Sequence, residues 1–318
     1  MKRLDFAPTP LTFLYTDANG NDIFLKREDL LPYCFGGNKV RIGLCYLEDM
    51  KRRGFTHMVA YGNARSNLCR VLSNLCASEK IPITVIQPSD DDGTRHESFN
   101  GKLCREFGAK AIPCSKLNVA ETVQSVLDSI TASGEKPYYI YGDCTGRGNL
   151  SVPVRAYPEV YKEISVQLKQ LNIHTDMLVL AAGTGMTQAG LLCGQLLSGE
   201  KSPPLILGIS VARSKDNATV HIAEYVNAWL KENRPELKLP ADQIHICDRF
   251  ALQYGISDRQ MLQTIQEMMC RYGVPMDATY TGKAYSGLLR LIQDQKICNK
   301  NIVFIHTGGT PLYFDGIQ

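Results

Sequence analysis

Lys39 closes the stretch KREDLLPYCFGGNK (residues 26–39), a segment charged at its front and almost uncharged behind. An ammonium in apolar surroundings is costly unless it is paired or gives up its proton. A lysine that forms a Schiff base gains from such surroundings, because its neutral amine is the nucleophile. The two glycines before Asn38 also suit an ordinary surface turn, so the stretch alone leaves both readings open.

A second chemical signal is LVLAAGTGMTQAG (178–190), where an apolar strand runs into Gly183-Thr184-Gly185 and then a helix start. Glycines let the backbone turn sharply and approach an anion, which a helix N-terminus favours, and Thr184 and Thr187 add hydroxyls. Gln188 stands where a dinucleotide GxGxxG needs glycine, and no GxxxxGK[ST] occurs in the chain. What remains is a monophosphate cup or a plain strand-to-helix turn.

Three further stretches bring polar groups to the ends of elements. YGNARSNLCR (61–70) gathers Asn63, Ser66 and Asn67 at a helix start, whose N–H groups can hold a carboxylate or be capped by side chains. DATYTGKAYSG (277–287) sets Tyr280 and Thr281 before a helix, and FIHTGGTPLYF (304–314) ends an apolar strand in Thr307-Gly308-Gly309. Sites of α/β folds lie at such ends. Each stretch taken singly also reads as packing or turn chemistry.

The elements that must position these residues alternate along the chain. The first 45 residues read as an extended lead-in followed by the KRED–GGNK segment. Buried strands are expected at 56–62, 81–88, AKAIPC, KPYYIYG, 176–183, PLILGISVA and NIVFIHTGG. Helices are expected at 65–80, TRHESFNGKLCREFG, 118–132, 156–171, 186–197, 219–232, 258–272 and KAYSGLLRLIQD, with a polar turn at SDDDG. Strands alternating with helices indicate an α/β fold of two domains. Each would be a mostly parallel twisted sheet with helices on both faces, with the ligand in the cleft between them. Residues 1–47 with 150–318 would form the larger domain and 48–149 the smaller.

Composition narrows the function classes. The chain has 318 residues, 44% hydrophobic and 21% charged, an ordinary globular balance. A net charge of +3 with both signs interspersed carries no nucleic-acid or membrane footprint. The basic start MKRLDFAPTPLTFLY lacks the apolar core of a signal peptide, and a cytoplasmic location is expected. The 11 cysteines include no CxxC pair and the 6 histidines no HxxxH, so no metal site is expected. Scattered through apolar segments, the cysteines read as reduced, buried small hydrophobes.

Taken in order, GGNK, SN, GTGxTxAG, YTGKAxSG and HTGG resemble the pyridoxal-phosphate enzymes of the tryptophan-synthase-β type. Among these the pattern is most similar to the D-cysteine desulfhydrase and 1-aminocyclopropane-1-carboxylate deaminase family. The resemblance runs from Arg27-Glu28-Asp29 to Gly309. It implies pyridoxal 5'-phosphate as cofactor, with Lys39 forming the Schiff base and then shuttling the substrate's α-proton. It implies that Asn67 hydrogen-bonds the ring hydroxyl, that Ser66 faces the substrate, and that Tyr280 lies near ring and substrate. Gly183, Thr184, Gly185, Met186 and Thr187 would bind the phosphate, while Thr281 and Thr307 would sit near the pyridine nitrogen. A homodimer is also implied.

Within that family the cyclopropane deaminases place a glutamate where this chain has Thr281. A carboxylate there keeps the ring nitrogen protonated and the ring a strong electron sink, whereas a threonine hydroxyl does not. Thr281 therefore favours β-elimination from a small, D-cysteine-like amino acid, giving a 2-oxo acid and ammonia. The alternatives are β-replacement by a second nucleophile, cyclopropane deamination, and a cofactor-binding protein without catalysis. Four departures fall on the substrate side: Arg65 for glutamine, Leu68 for histidine or glutamine, Ile42 for lysine, and the loop GDCTGRGN (142–149).

Overall fold

The computed structural model describes residues 6–89, 98–240, 242–250 and 257–317. All of the expected SDDDG turn but Ser89, and the expected helix start at Thr94, lie outside the described residues. In chain order the first elements are β1 (Leu11–Thr16), β2 (Asp22–Lys26), α1 (Asn38–Arg52), β3 (His57–Tyr61), α2 (Asn67–Ser78) and β4 (Ile83–Pro88). Then come α3 (Phe99–Glu106), β5 (Lys110–Cys114), α4 (Val119–Ala132), β6 (Pro137–Tyr139), α5 (Pro158–Gln170), β7 (Met177–Ala182) and α6 (Met186–Ser198). The chain continues with β8 (Leu205–Ser210), α7 (Lys215–Asn233), β9 (His245–Cys247) and α8 (Arg259–Tyr272). It ends with α9 (Thr281–Gln295), β10 (Asn301–Ile305) and α10 (Thr310–Phe314).

The chain divides into two compact units. The first comprises Met1–Leu31, Phe35–Asn38 and Val154–Gly316 and holds a six-stranded sheet in the order β1-β2-β10-β7-β8-β9. All its pairings are parallel except the β1–β2 hairpin. β7 (MLVLAA) and β10 (NIVFI) are buried along nearly their whole length, as central strands covered on both faces must be. Val179, Ile209 and Phe304 from the sheet meet Met276, Tyr285 and Leu288 in one apolar core. That core fixes the strand ends on which the motifs sit.

The second unit comprises Pro32–Cys34, Lys39–Pro153 and Ile317–Gln318 and holds a four-stranded parallel sheet in the order β5-β4-β3-β6. No described helix is long and apolar enough to cross a membrane.

The expected extended lead-in is corrected at both ends. Residues 11–26 form the β1–β2 hairpin, turned by Asp17, whose carboxylate accepts the Asn19 and Asn21 N–H groups at 2.8 Å. Residues 38–52 form α1, with Val40, Leu47 and Met50 buried at helical spacing. The glycines just ahead of α1 drew the reading toward a turn and hid this periodicity.

Candidate active site

The glycines before Lys39 answer a steric demand. A Cβ on Gly36 would stand 2.1 Å from the Asp29 carbonyl oxygen, and one on Gly37 2.9 Å from that of Thr307. A Cβ on Gly308 would lie 2.5 Å from Gly37 Cα, so the GGNK and HTGG motifs meet backbone to backbone. Both glycines also have positive φ, 100° and 98°, which no other residue adopts cheaply. The Asn38 N–H then donates to the Thr307 carbonyl at 3.0 Å.

That contact fixes the start of α1. Asn38 is buried, and its Nδ2 donates to Thr187 Oγ1 at 2.8 Å. Lys39 follows directly. Burial of its amine lowers the pKa to about 8, and among the described residues no carboxylate or acceptor pairs with it. The residue as a whole keeps some exposure while its amine is desolvated. An amine in this state is neutral in roughly a tenth to a fifth of molecules near physiological pH, far more than an ordinary lysine, as a nucleophile or proton carrier requires.

The cup follows β7. Gly185 precedes α6 with φ 88°, and a Cβ there would meet Ile222 Cγ1 at 2.5 Å. No side chain caps this helix start and no acidic residue stands in its first turn, which leaves its N–H groups and dipole open to an anion. Thr184 is partly exposed, with no protein partner for its hydroxyl among the described residues. Met186 is fully buried, so its side chain belongs to the core and only its backbone faces the turn. The structure also explains the broken dinucleotide pattern. Gln188 Nε2 donates to the His245 carbonyl at 2.9 Å, tying α6 to β9, and a Cβ on Gly190 would lie 2.4 Å from Tyr157 Cβ. Gly190 is there so that α5 can approach α6.

Thr281 lies at the start of α9 and is fully buried. Its Oγ1 is 2.9 Å from Asp277 Oδ2 and 3.3 Å from the Gly308 carbonyl, and it accepts the Asp277 N–H at 3.1 Å. The hydroxyl's one hydrogen is thus committed within the protein. Asp277, not anticipated from sequence, also accepts the N–H groups of Thr279 and Tyr280 at 2.8 and 2.7 Å. Burial raises its carboxyl pKa against the lowering effect of these donors. An aspartate shortly before a helix is a capping signal, and read that way MDATY could have revealed it. Tyr280 stands on the cup's flank: a Cβ on Gly183 would touch its Cε1 at 3.7 Å. The first unit therefore joins Gly183–Thr187, Asn38, Thr307, Thr281 and Tyr280 in one continuous set of contacts.

In the second unit Ser66 caps α2, accepting the Cys69 N–H at 3.2 Å. Asn67, next to it, accepts on Oδ1 from Asn100 Nδ2 at 2.9 Å and from Arg70 Nη2 at 3.4 Å. Arg70 also donates to the Cys34 carbonyl in the turn ahead of the glycines. The 142–149 loop is closed by its own backbone, with Gly148 N–H on the Tyr141 carbonyl at 2.9 Å. All 11 cysteines are free thiols. Burial pushes Cys69 up to about 12 and Cys34 to about 11, so neither is a thiolate nucleophile at neutral pH.

Residues 2–308 match the model of a family described as pyridoxal-phosphate dependent enzyme. The chain is 30% identical to D-cysteine desulfhydrase of Yersinia pestis (strain Pestoides F), over 98% of this chain and 95% of that one. A crystal structure of an ACC deaminase homologue superposes with a TM-score of 0.84 at 25% identity, covering 99% of this chain and 93% of that chain. A hydrogen sulfide-producing enzyme from Fusobacterium nucleatum shares the fold, with a TM-score of 0.66 at 19% identity over 96% of both chains. A glycine-lined helix start, a desolvated lysine after GGN and a family match along nearly the whole length agree: the chain belongs to the pyridoxal-phosphate-dependent enzymes.

Proposed function

We propose that the protein is a pyridoxal-phosphate-dependent lyase that carries out β-elimination on a small, D-cysteine-like amino acid and yields a 2-oxo acid and ammonia. The observation that carries this reading is Lys39: an unpaired amine lowered to about 8, one residue after Asn38 is bound to Thr187 of the cup. The residues present fit the cofactor. The α6 start, with no acid in its first turn and room made by Gly185, suits a phosphate. When bound, the cofactor supplies an electron sink for the charge left at the substrate's α-carbon.

The chain's own groups would do the rest. Lys39 Nζ would attach the cofactor and then take the α-proton, which its lowered pKa permits at neutral pH. Gly183, Thr184, Gly185, Met186 and Thr187 would hold the phosphate, and Asn67 would donate to the ring oxygen. The N–H groups of the α2 start and the Ser66 hydroxyl would receive the substrate carboxylate. Tyr280 and Thr307 would flank the ring. Thr281, whose hydrogen is committed to Asp277 or Gly308, would set no carboxylate against the ring nitrogen to hold a proton there. That favours substrates whose β-substituent leaves readily over cyclopropane opening, the second reading prompted by the ACC deaminase homologue. β-Replacement differs only in a second nucleophile.

In this reading the domain bearing the cup is the larger, cofactor-binding one (1–47 and 150–318) and residues 48–149 form the smaller, a division that differs from the two compact units in where it puts residues 32–34, 39–47, 150–153 and 317–318. The protein is cytoplasmic and homodimeric in the same proposal, and a monomer across the micromolar range in sedimentation would remove the dimer from it. The central test is 2-oxo acid release at saturating cofactor from D-cysteine, L-cysteine, β-chloroalanine and 1-aminocyclopropane-1-carboxylate, with and without an added thiol. Turnover of cysteine or β-chloroalanine with none of the cyclopropane is expected. Brisk turnover of the cyclopropane alone would overturn the reading, and thiol incorporation would make the enzyme a transferase.

A further inference from the structure

The orientation of the Asn67 amide is set by a short chain of groups that have no choice of polarity. The Arg65 carbonyl can only accept, and it lies 3.0 Å from one terminal atom of Asn100. That atom must be the amide nitrogen, Nδ2. The same Nδ2 stands 2.9 Å from Asn67, so the Asn67 atom it meets must be the oxygen. Arg70 makes the same demand independently. Its guanidinium has donors and no acceptor, and its Nη2 faces that oxygen at 3.4 Å. Asn100 and Arg70 are both fully buried, so water does not compete for these contacts.

With Oδ1 held on that side, Asn67 Nδ2 is turned to the other. Among the described residues no protein acceptor takes it, and Asn67 is partly exposed at the first position of α2. We infer that Asn100, supported by Arg70, is a positioning residue that locks the Asn67 amide with its N–H groups outward, as a donor to the oxyanion of the cofactor ring. The inference rests on the proposed placement of Asn67 beside the cofactor and adds why that amide donates rather than accepts. Unlocked, an asparagine amide can turn by half a circle and set its oxygen lone pairs against an oxyanion.

The test is titration of the purified full-length apoprotein with pyridoxal 5'-phosphate, read by absorbance, for N67A, N100D, N100L and the two double variants. N100D presents an acceptor to Asn67 and should reverse its amide. N100L keeps the branching of asparagine at Cγ, bulkier but uncharged and without donors, and the Asn100 Oδ1 has no hydrogen-bond partner to lose. It therefore serves if the charged variant does not fold. Expected is a cofactor Kd raised about tenfold in N100D and about threefold in N100L. The pH midpoint of the bound cofactor's visible band should also move upward, because an oxyanion without its donor holds a proton more tightly. In the N67A background the same substitutions should change Kd less than about twofold, as for a residue acting only through Asn67. The inference is overturned if N100L loses the same affinity with or without Asn67, or if both Asn100 variants keep the wild-type Kd and band. If N67A itself binds and absorbs as wild type, while borohydride still fixes the cofactor at Lys39, the placement of Asn67 is what fails.

Discussion

Asn38 Nδ2 lies 2.8 Å from Thr187 Oγ1, and this buried hydrogen bond joins the residue before Lys39 to the first turn of α6. It holds Asn38, the last residue of its segment in the first unit, against the cup. Asn38→Leu should cost about 1–3 kcal/mol, because Thr187 is left without a buried partner. It should also weaken cofactor binding about tenfold. Asn38→Asp should bind more weakly still, since a carboxylate beside the helix start competes with the phosphate for the same field. Thermal denaturation and cofactor titration check both effects. Wild-type affinity in Asn38→Asp would remove Thr187 from the phosphate site.

Lys39→Ala should abolish the borohydride-reducible attachment of the cofactor and lower turnover by about 10²–10⁴-fold while the fold persists. Peptide mapping of the reduced protein checks it, and an adduct at another lysine would refute the assignment.

The lowered Lys39 pKa has two pH consequences. Only the neutral amine attacks the cofactor aldehyde, so the rate of reconstitution should rise with pH through a midpoint near 8, not near the ordinary 10.5. For stability the folded apoprotein binds fewer protons than the unfolded chain between about 8 and 10.5. The burial penalty is therefore fully present below that window, and stability from this group rises with pH across it. Lys39→Met should flatten both dependences. A stopped-flow pH series and denaturant melts at several pH values read them.

Two glycines of the cup should behave differently. At Gly183 a Cβ meets only ordinary contacts, Tyr280 Cε1 at 3.7 Å and Val211 Cγ2 at 3.8 Å. Gly183→Ala should therefore fold normally and lose only cofactor affinity. At Gly185 the positive φ and the 2.5 Å approach to Ile222 Cγ1 put the cost into folding as well, about 1–2 kcal/mol from the backbone alone. Equal melting temperatures for the two alanine variants would contradict this.

Thr281→Val should destabilise the protein by about 1–3 kcal/mol, because it leaves the buried Asp277 carboxyl short of a donor. Thr281→Glu should be worse, with a second carboxylate beside Asp277 in a buried site. Adding Asp277→Asn should recover part of that loss, as a double-mutant cycle would show. Simple additivity would mean the two residues do not interact.

The residue types settled much of this protein before any tertiary contact was known. Continuous apolar runs such as LVLAA and IVFI, each followed by glycines, read as central strands of a covered sheet, and the GTG and HTGG motifs stand at their ends. What the sequence could not express were relations between residues far apart in number. Gly37 and Gly308 are glycines because each occupies the space of the other's side chain, and the spacing of neither motif contains that fact. Gly190 is a glycine because a Cβ there would lie 2.4 Å from Tyr157 Cβ, a residue far away in the sequence. Asn100 belongs to no motif, because its meaning lies in which donors and acceptors surround it once buried. Local pattern reports periodicity and backbone freedom. The polarity of a buried hydrogen bond and the clash of a missing Cβ exist only when the chain has brought both partners together.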